Sequence, residues 1–245
     1  MTNNMLEVIG ISKRIKSHLI LDDLSFNIES GSICGFLGPN GAGKTTLIRL
    51  ITGLIRQTSG SIKINKFDTK LHRVEALKNL GAIVENPIFF SYMTAIQFLC
   101  NIGLLTDVKN IRQKAFEVLE IVGLSGRENE KISTYSLGMK QRLGIAQVML
   151  NDPKFIILDE PMNGLDPIGM IELRDLIRKL NCEFGITFFI SSHLLDELQK
   201  ICTDIVIINL GKLAWQGKVN DLNLFGENCS LEDVFMKLLG NESHV

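Results

Sequence analysis

The chain has 245 residues, 45% of them hydrophobic and 22% charged, ordinary values for a globular protein that buries its own core without disulfide or metal staples. Its 26 basic and 27 acidic residues leave a net charge of −1. That balance supplies no electrostatic footprint for DNA or RNA and excludes a long charged disordered tail.

The five cysteines, Cys34, Cys100, Cys182, Cys202 and Cys229, are scattered and form no C-x-x-C pair. They predict neither a disulfide framework nor a zinc site, and fit a reducing cytosol. The first ten residues carry no signal-peptide pattern. The uncharged stretch 86–106 holds Asn86, Ser91, Thr94, Gln97 and Asn101, too many polar groups for a membrane span.

Taken in chain order, residues 6–11 form a short apolar run. Leu24, Phe26 and Ile28 then alternate with Ser25 and Asn27, as in a half-buried strand. After the turn Glu29-Ser30-Gly31, residues 32–37 are nearly all apolar, which predicts a strand covered on both faces. A glycine-rich loop, 38–43, leads into a helical pattern over 44–52. Thr58-Ser59-Gly60 marks a turn before a strand at 61–64. From about 91 to 149 the apolar residues recur at helical spacing, as at Ala115, Val118, Leu119 and Val122. Asn151-Asp152-Pro153 breaks that pattern before a buried strand at 155–158. Strands at 187–190 and 205–208 follow, with helical stretches at 171–180 and 194–201. Strands alternating with helices predict a largely parallel sheet, hence one α/β domain, with a helical insertion near 88–150.

Gly38-Pro39-Asn40-Gly41-Ala42-Gly43-Lys44-Thr45 matches the phosphate-binding P-loop pattern between a strand and a helix, the context that gives the pattern meaning. Glycines let backbone N–H groups curl around a phosphate at a helix N-terminus. Lys44 would reach the outer phosphates and the Thr45 hydroxyl would bind Mg²⁺, with Thr46 beside it. The strand 155–158 ends in Asp159-Glu160, a Walker B pattern: Asp159 is the expected Mg²⁺ ligand and Glu160 the expected general base.

Tyr135-Ser136-Leu137-Gly138-Met139-Lys140-Gln141-Arg142 reads by itself as a helix with Ser136 at its N-cap. It also resembles the signature motif of ATP-binding-cassette proteins, commonly Leu-Ser-Gly-Gly-Gln, keeping Ser136 and Gly138. Asn163-Gly164-Leu165-Asp166 resembles that family's D-loop, and His193 its switch histidine. The resemblance runs from about residue 6 to 239. It implies a P-loop NTPase parallel-sheet core, an antiparallel β subdomain, the helical subdomain at about 88–150 and a C-terminal extension at about 218–245.

Two positions depart from the family pattern. Ile15 stands where many members carry an aromatic that stacks on adenine. Glu85 stands where most carry a Gln that leads into the insertion, and is expected to serve nucleotide and Mg²⁺. Glu85 together with this signature resembles the bacitracin and lantibiotic self-protection exporters. A single P-loop and the absence of sustained heptads disfavour ribosome- and DNA-acting members.

The resemblance further implies ATP and Mg²⁺ as cofactors and a dimer of two such chains. Ser136, Gly138 and Asp166 would serve the nucleotide, Ser136 and Gly138 acting in trans on the partner's. Membrane-spanning permease subunits on separate chains would hold the protein at the cytoplasmic face of the cell membrane, docking on the insertion near 87–93. No nucleic acid partner is implied.

Overall fold

The computed structural model describes residues 3–85, 87–226 and 229–240. Asn86, and residues 227–228 and 241–245 of the expected C-terminal extension, lie outside the described residues.

Two sheets share the β structure. In the smaller, β1 (Asn4–Ile15) pairs antiparallel with β2 (His18–Glu29) and with β4 (Ser59–Ile64), and β5 (Phe67–Asp68) closes the edge, in the order β2-β1-β4-β5. Along β2 the expected alternation holds: Leu24, Phe26 and Ile28 are buried while Ser25, Asn27 and Glu29 face out.

The larger sheet has the order β10-β9-β3-β8-β7-β6. Its parallel members are β3 (Ile33–Leu37), β6 (Leu80–Ile83), β7 (Phe155–Asp159), β8 (Thr187–Ser191) and β9 (Asp204–Asn209). β10 (Lys212–Lys218) returns antiparallel on β9.

The near-unbroken apolar runs of the parallel strands have a physical cause. Ile33 and Leu37, Ile156 and Leu158, Phe188 and Ile190 join one buried cluster, which continues under the helices. Their neighbours Cys34 and Phe36, Phe155 and Ile157, and Phe189 join a second cluster against the antiparallel sheet. Each strand thus feeds two cores with period two. Between the sheets Phe36 stacks on Phe189 at 4.8 Å and Phe26 on both.

The helices are α1 (Lys44–Ile51), α2 (Arg73–Leu77), α3 (Ala95–Leu105), α4 (Ile111–Ile121), α5 (Leu137–Met149), α6 (Pro167–Phe184), α7 (Leu195–Ile201) and α8 (Leu231–Gly240). The helical stretch expected after residue 91 is therefore three helices between β6 and β7. α3 opens with a capping box between Thr94 and Gln97, and a Gly123 at φ +70 follows α4. α6 outruns its apolar pattern at both ends, because Asp166 and Pro167 start it and the left-handed Gly185 stops it.

β3 lies between β8 and β9, and within this sheet the chain leaves β3 toward β6 on one side while it leaves the neighbouring β8 toward β9 on the other. Such a switch point opens a crevice at the carboxyl ends of the strands. The loop 38–43, Glu160 and the Ser192-His193 pair all leave from that edge.

Candidate functional site

The phosphate loop is built from backbone positions that exclude side chains. A Cβ on Gly38 would lie 2.6 Å from the Ile208 carbonyl oxygen, and Gly43, at φ +105, would push one to 2.6 Å from Leu21. Gly43 is also the N-cap of α1, and no side chain caps that helix. The N–H groups of its first turn are thus left for a ligand. Lys44 curls back into the loop, where its Nζ donates to the carbonyls of Gly38 at 2.6 Å and Pro39 at 3.3 Å. Burial pulls the Lys44 pKa below the ordinary lysine value, opposed by the nearby Glu160 and Asp159 carboxylates.

Asp159 is buried at the end of β7, opposite Ser191 at the end of β8. The Ser191 hydroxyl donates to Asp159 Oδ1. Ser191 also receives the Glu160 N–H, at its carbonyl oxygen (3.1 Å) and at Oγ (3.0 Å). Glu160 itself sits at φ +50, a left-handed conformation rare outside glycine. That turn carries its carboxylate across to the next strand's exit. Oε2 accepts the His193 N–H at 3.3 Å and lies 2.9 Å from His193 Nδ1. An ionised carboxylate there places the imidazole proton on Nδ1 and leaves Nε2 free to face the cleft.

These groups converge on a cleft of about 790 Å³. Gly38, Pro39, Asn40, Gly41, Gly43, Lys44, Thr45 and Thr46 form one wall, and Asp159, Glu160, Asn163, Ser192 and His193 another. Ala42 turns into the core, 2% exposed. Ile20, Leu195 and Phe235 supply apolar surface at the rim, and Ile15 is not among the lining residues.

Sequence reasoning missed Ser191, although one signal was present: a polar residue follows the apolar run Phe188-Phe189-Ile190, two positions before His193. It also missed Ile20, Leu195 and Phe235, for which no local signal exists.

Besides Ala42, four of the expected site residues, Ser136, Gly138, Asp166 and Glu85, are not brought to this cleft. Ser136 Oγ accepts the Met139 N–H at 3.2 Å and caps α5. Gly138 lies on the same first turn, facing α6, where a Cβ would come 3.8 Å from Gly169 Cα. Asp166 Oδ1 accepts the Gly169 N–H at 2.9 Å and caps α6. Glu85, at φ +66, pairs instead with Arg49 on the last turn of α1.

Tyr135, where the common signature has Leu, is buried and donates its hydroxyl to the Arg127 carbonyl at 2.7 Å. Burial first, then Glu130 and Glu128, push its pKa up to about 12. Tyr135→Phe should cost about 1 kcal/mol, a fall of roughly 2–4 °C in Tm for a chain of this size. A tyrosine raised in the folded state stabilises fully below its unfolded pKa of about 10. That contribution is lost as the pH climbs toward 12. The Tm gap between the wild type and Tyr135→Phe should therefore hold steady below pH 10 and narrow above it. A gap that opens with rising pH would contradict the assignment.

Residues 21–163 match the ABC transporter family. The chain is 44% identical over 213 residues to the bacitracin transport ATP-binding protein BcrA of Bacillus licheniformis, covering 86% of this chain and 69% of that protein. It is 36% identical over 233 residues to the lantibiotic transport ATP-binding protein SrtF of Streptococcus pyogenes, covering 93% of this chain and 99% of that one. Among solved structures it is similar to the dimeric post-hydrolysis state of the ATP-binding cassette MJ0796 bound to ADP and Pi. The TM-score is 0.76 at 25% identity, over 88% of this chain and 99% of that one. A family match across more than half of the chain, joined to relatives this similar along most of it, means that the protein belongs to the ABC transporter family as one of its ATP-binding, ATP-hydrolysing subunits.

Proposed function

We propose that the chain powers export of a bacitracin-like or lantibiotic peptide, as one half of an ATP-closed dimer docked on membrane-spanning subunits of separate chains. The observation that carries the substrate class is the identity to two transport ATP-binding proteins for such peptides. Glu85 in place of the usual Gln supports it.

The dimer follows from how the site is divided. The cleft gathers the phosphate loop, Asp159, Glu160 and His193, whereas Ser136 and Gly138 open a different helix N-terminus and do not line it. In a head-to-tail pair each α5 would present its first-turn N–H groups to the γ-phosphate held by the other chain. The similarity to a dimeric cassette supports this arrangement.

The residues fit Mg²⁺ bound together with nucleotide. Among the described residues no group of three His, Cys, Asp or Glu could hold a metal, and Mg²⁺ characteristically takes one or two protein oxygens plus phosphate oxygens. Thr45 Oγ1 and the Asp159 carboxylate, oriented by Ser191, are the oxygens that would hold it. Bound there, Mg²⁺ would neutralise charge on the phosphates. Lys44 and the loop N–H groups would hold the outer phosphates in line. Glu160 would take the proton of the attacking water, and His193, steadied by Glu160, would present Nε2 to the γ-phosphate.

No helix among the described residues is long and apolar enough to cross a membrane, so membrane attachment is assigned to the partner chains, at the cytoplasmic face. The apolar segment after Glu85 splits its side chains. Phe89 turns inward onto Phe98, with ring centroids 5.1 Å apart. Ile88, Phe90 and Tyr92 face out beside a groove of about 550 Å³ lined by Tyr92, Met93, Ile96 and Cys100. An exposed apolar patch of this kind marks an interaction surface, and we assign it to the membrane subunit.

The test is a strain lacking this chain, challenged with bacitracin and with a lantibiotic. Greater susceptibility to at least one peptide is expected, rescued by the wild-type chain and not by Glu160→Gln. Unchanged susceptibility to both would overturn the substrate class.

A further inference from the structure

We infer that Arg49 and Glu85 form an ionic clasp that ties the phosphate-binding helix to the signature helix, making Arg49 a positioning residue for α5. The inference rests on the proposed dimer, in which the start of α5 meets the other chain's nucleotide, and does not depend on which peptide is exported.

The clasp joins two elements that meet nucleotide from different sides. Arg49 Nη2 bonds Glu85 Oε1. Arg49 lies five residues beyond Lys44, about 7.5 Å along the helix axis, so any shift of α1 as Lys44 engages phosphate is carried to its guanidinium. Glu85 follows β6 directly, and β6 travels with α5 because the two pack through glycines. A Cβ on Gly81 would lie 2.9 Å from Val148 Cβ. One on Gly144 would lie 3.2 Å from Ile83 Cδ1 and 3.3 Å from Pro87 Cγ. Ile83 before Glu85 and Pro87 after it therefore both pack closely at Gly144. Eight residues before Gly144 stands Ser136, the cap at which α5 begins. The path from loop to signature thus runs α1, Arg49, Glu85, Pro87, Gly144, α5, and every step but the ion pair is covalent chain or close packing.

The exception is the ion pair, and its exposure suits it to a working contact. The side chains are 45% and 63% exposed, so solvent and salt screen the attraction and the pair adds little to stability. It can break and reform within a catalytic cycle, and removing it leaves the fold intact. The φ +66 backbone at Glu85 turns the carboxylate back toward α1, away from the apolar residues that follow.

Hydrogen exchange on the full chain tests the clasp, in a Glu160→Gln background with and without ATP and Mg²⁺. With the clasp intact, ATP should slow exchange at the first-turn amides of α5 by about fivefold or more, the scale of an ordinary coupling free energy. Arg49→Gln should shrink that response below about twofold while ATP affinity stays within about threefold, since this side chain does not line the cleft. The charge swap Arg49→Glu with Glu85→Arg should restore it, which a loss of packing would not. Three outcomes overturn the clasp: a full response in Arg49→Gln, a swap that does not restore it, or no response in the parent chain. Susceptibility of the deletion strain speaks to the export reading alone, so the two can fail separately.

Discussion

Lys44→Ala should lose ATP affinity by about 30- to 5,000-fold, the 2–5 kcal/mol that follows removal of one member of a buried, hydrogen-bonded charge pair. The size follows from how the ammonium is held. Nζ is already out of bulk water, donating to the Gly38 and Pro39 carbonyls, and burial has lowered its pKa. Most of its desolvation is thus complete before a phosphate arrives. Exchanging two carbonyl acceptors for anionic phosphate oxygens gains charge-assisted bonds at little further desolvation. Among the residues lining the cleft, Lys44 is the one lysine or arginine, so no neighbour can substitute for it. The remaining affinity would come from the loop N–H groups at the uncapped start of α1. Binding of a fluorescent ATP analogue to the purified variant measures the loss, with Tm as the control for folding. Affinity equal to wild type would show that the loop amides alone hold the triphosphate.

The parts of this site that were legible in the sequence are those in which one short segment carries both structure and chemistry. The run 32–45 encodes a strand, a loop that tolerates only glycine at key positions, and a helix start, all within fourteen residues. The same holds for 155–160. What was not legible depends on segments far apart in the chain. Asp159 and Glu160 are organised by Ser191, some thirty residues away, and the partnership exists only because β7 and β8 are parallel neighbours in register. Glu85 was expected at the nucleotide from its place in the order of motifs. The structure turns it toward Arg49, a residue of ordinary surface character with no motif of its own.

The secondary structure was lost at its edges for a related reason. β10, with Lys212, Gln216 and Lys218, has no long apolar run because it is an edge strand paired on one side only. β5 has two residues and α2 five, below the length at which periodicity can be read. The central strands show no alternation because both of their faces are buried, so length and flanking turns had to identify them.

Glu160→Gln should keep ATP binding and lower turnover by about 10²–10⁴-fold, the share of catalysis a positioned base contributes. The geometry makes this substitution unusually clean. The Glu160 backbone is fixed by its own N–H, bonded to both oxygens of Ser191, so the side chain starts from the same place in either form. A glutamine carbonyl can still accept the His193 N–H that Oε2 accepts now. What changes is basicity, and with it the imidazole. The carboxylate keeps the proton on Nδ1, whereas an amide can offer Nδ1 either a donor or an acceptor, so the histidine tautomer is no longer imposed. The water loses its proton acceptor while the phosphates keep their donors, Lys44 and the loop N–H groups. If the dimer closes on ATP and opens on hydrolysis, the variant should accumulate as an ATP-bound dimer, because the step that releases the halves is blocked. Size-exclusion runs with ATP should show a shift to twice the monomer mass that ADP does not produce, alongside slow phosphate release. Phosphate release within threefold of wild type would remove Glu160 from the role of base and pass the positioning of water to His193, whose alanine variant would then be the slow one.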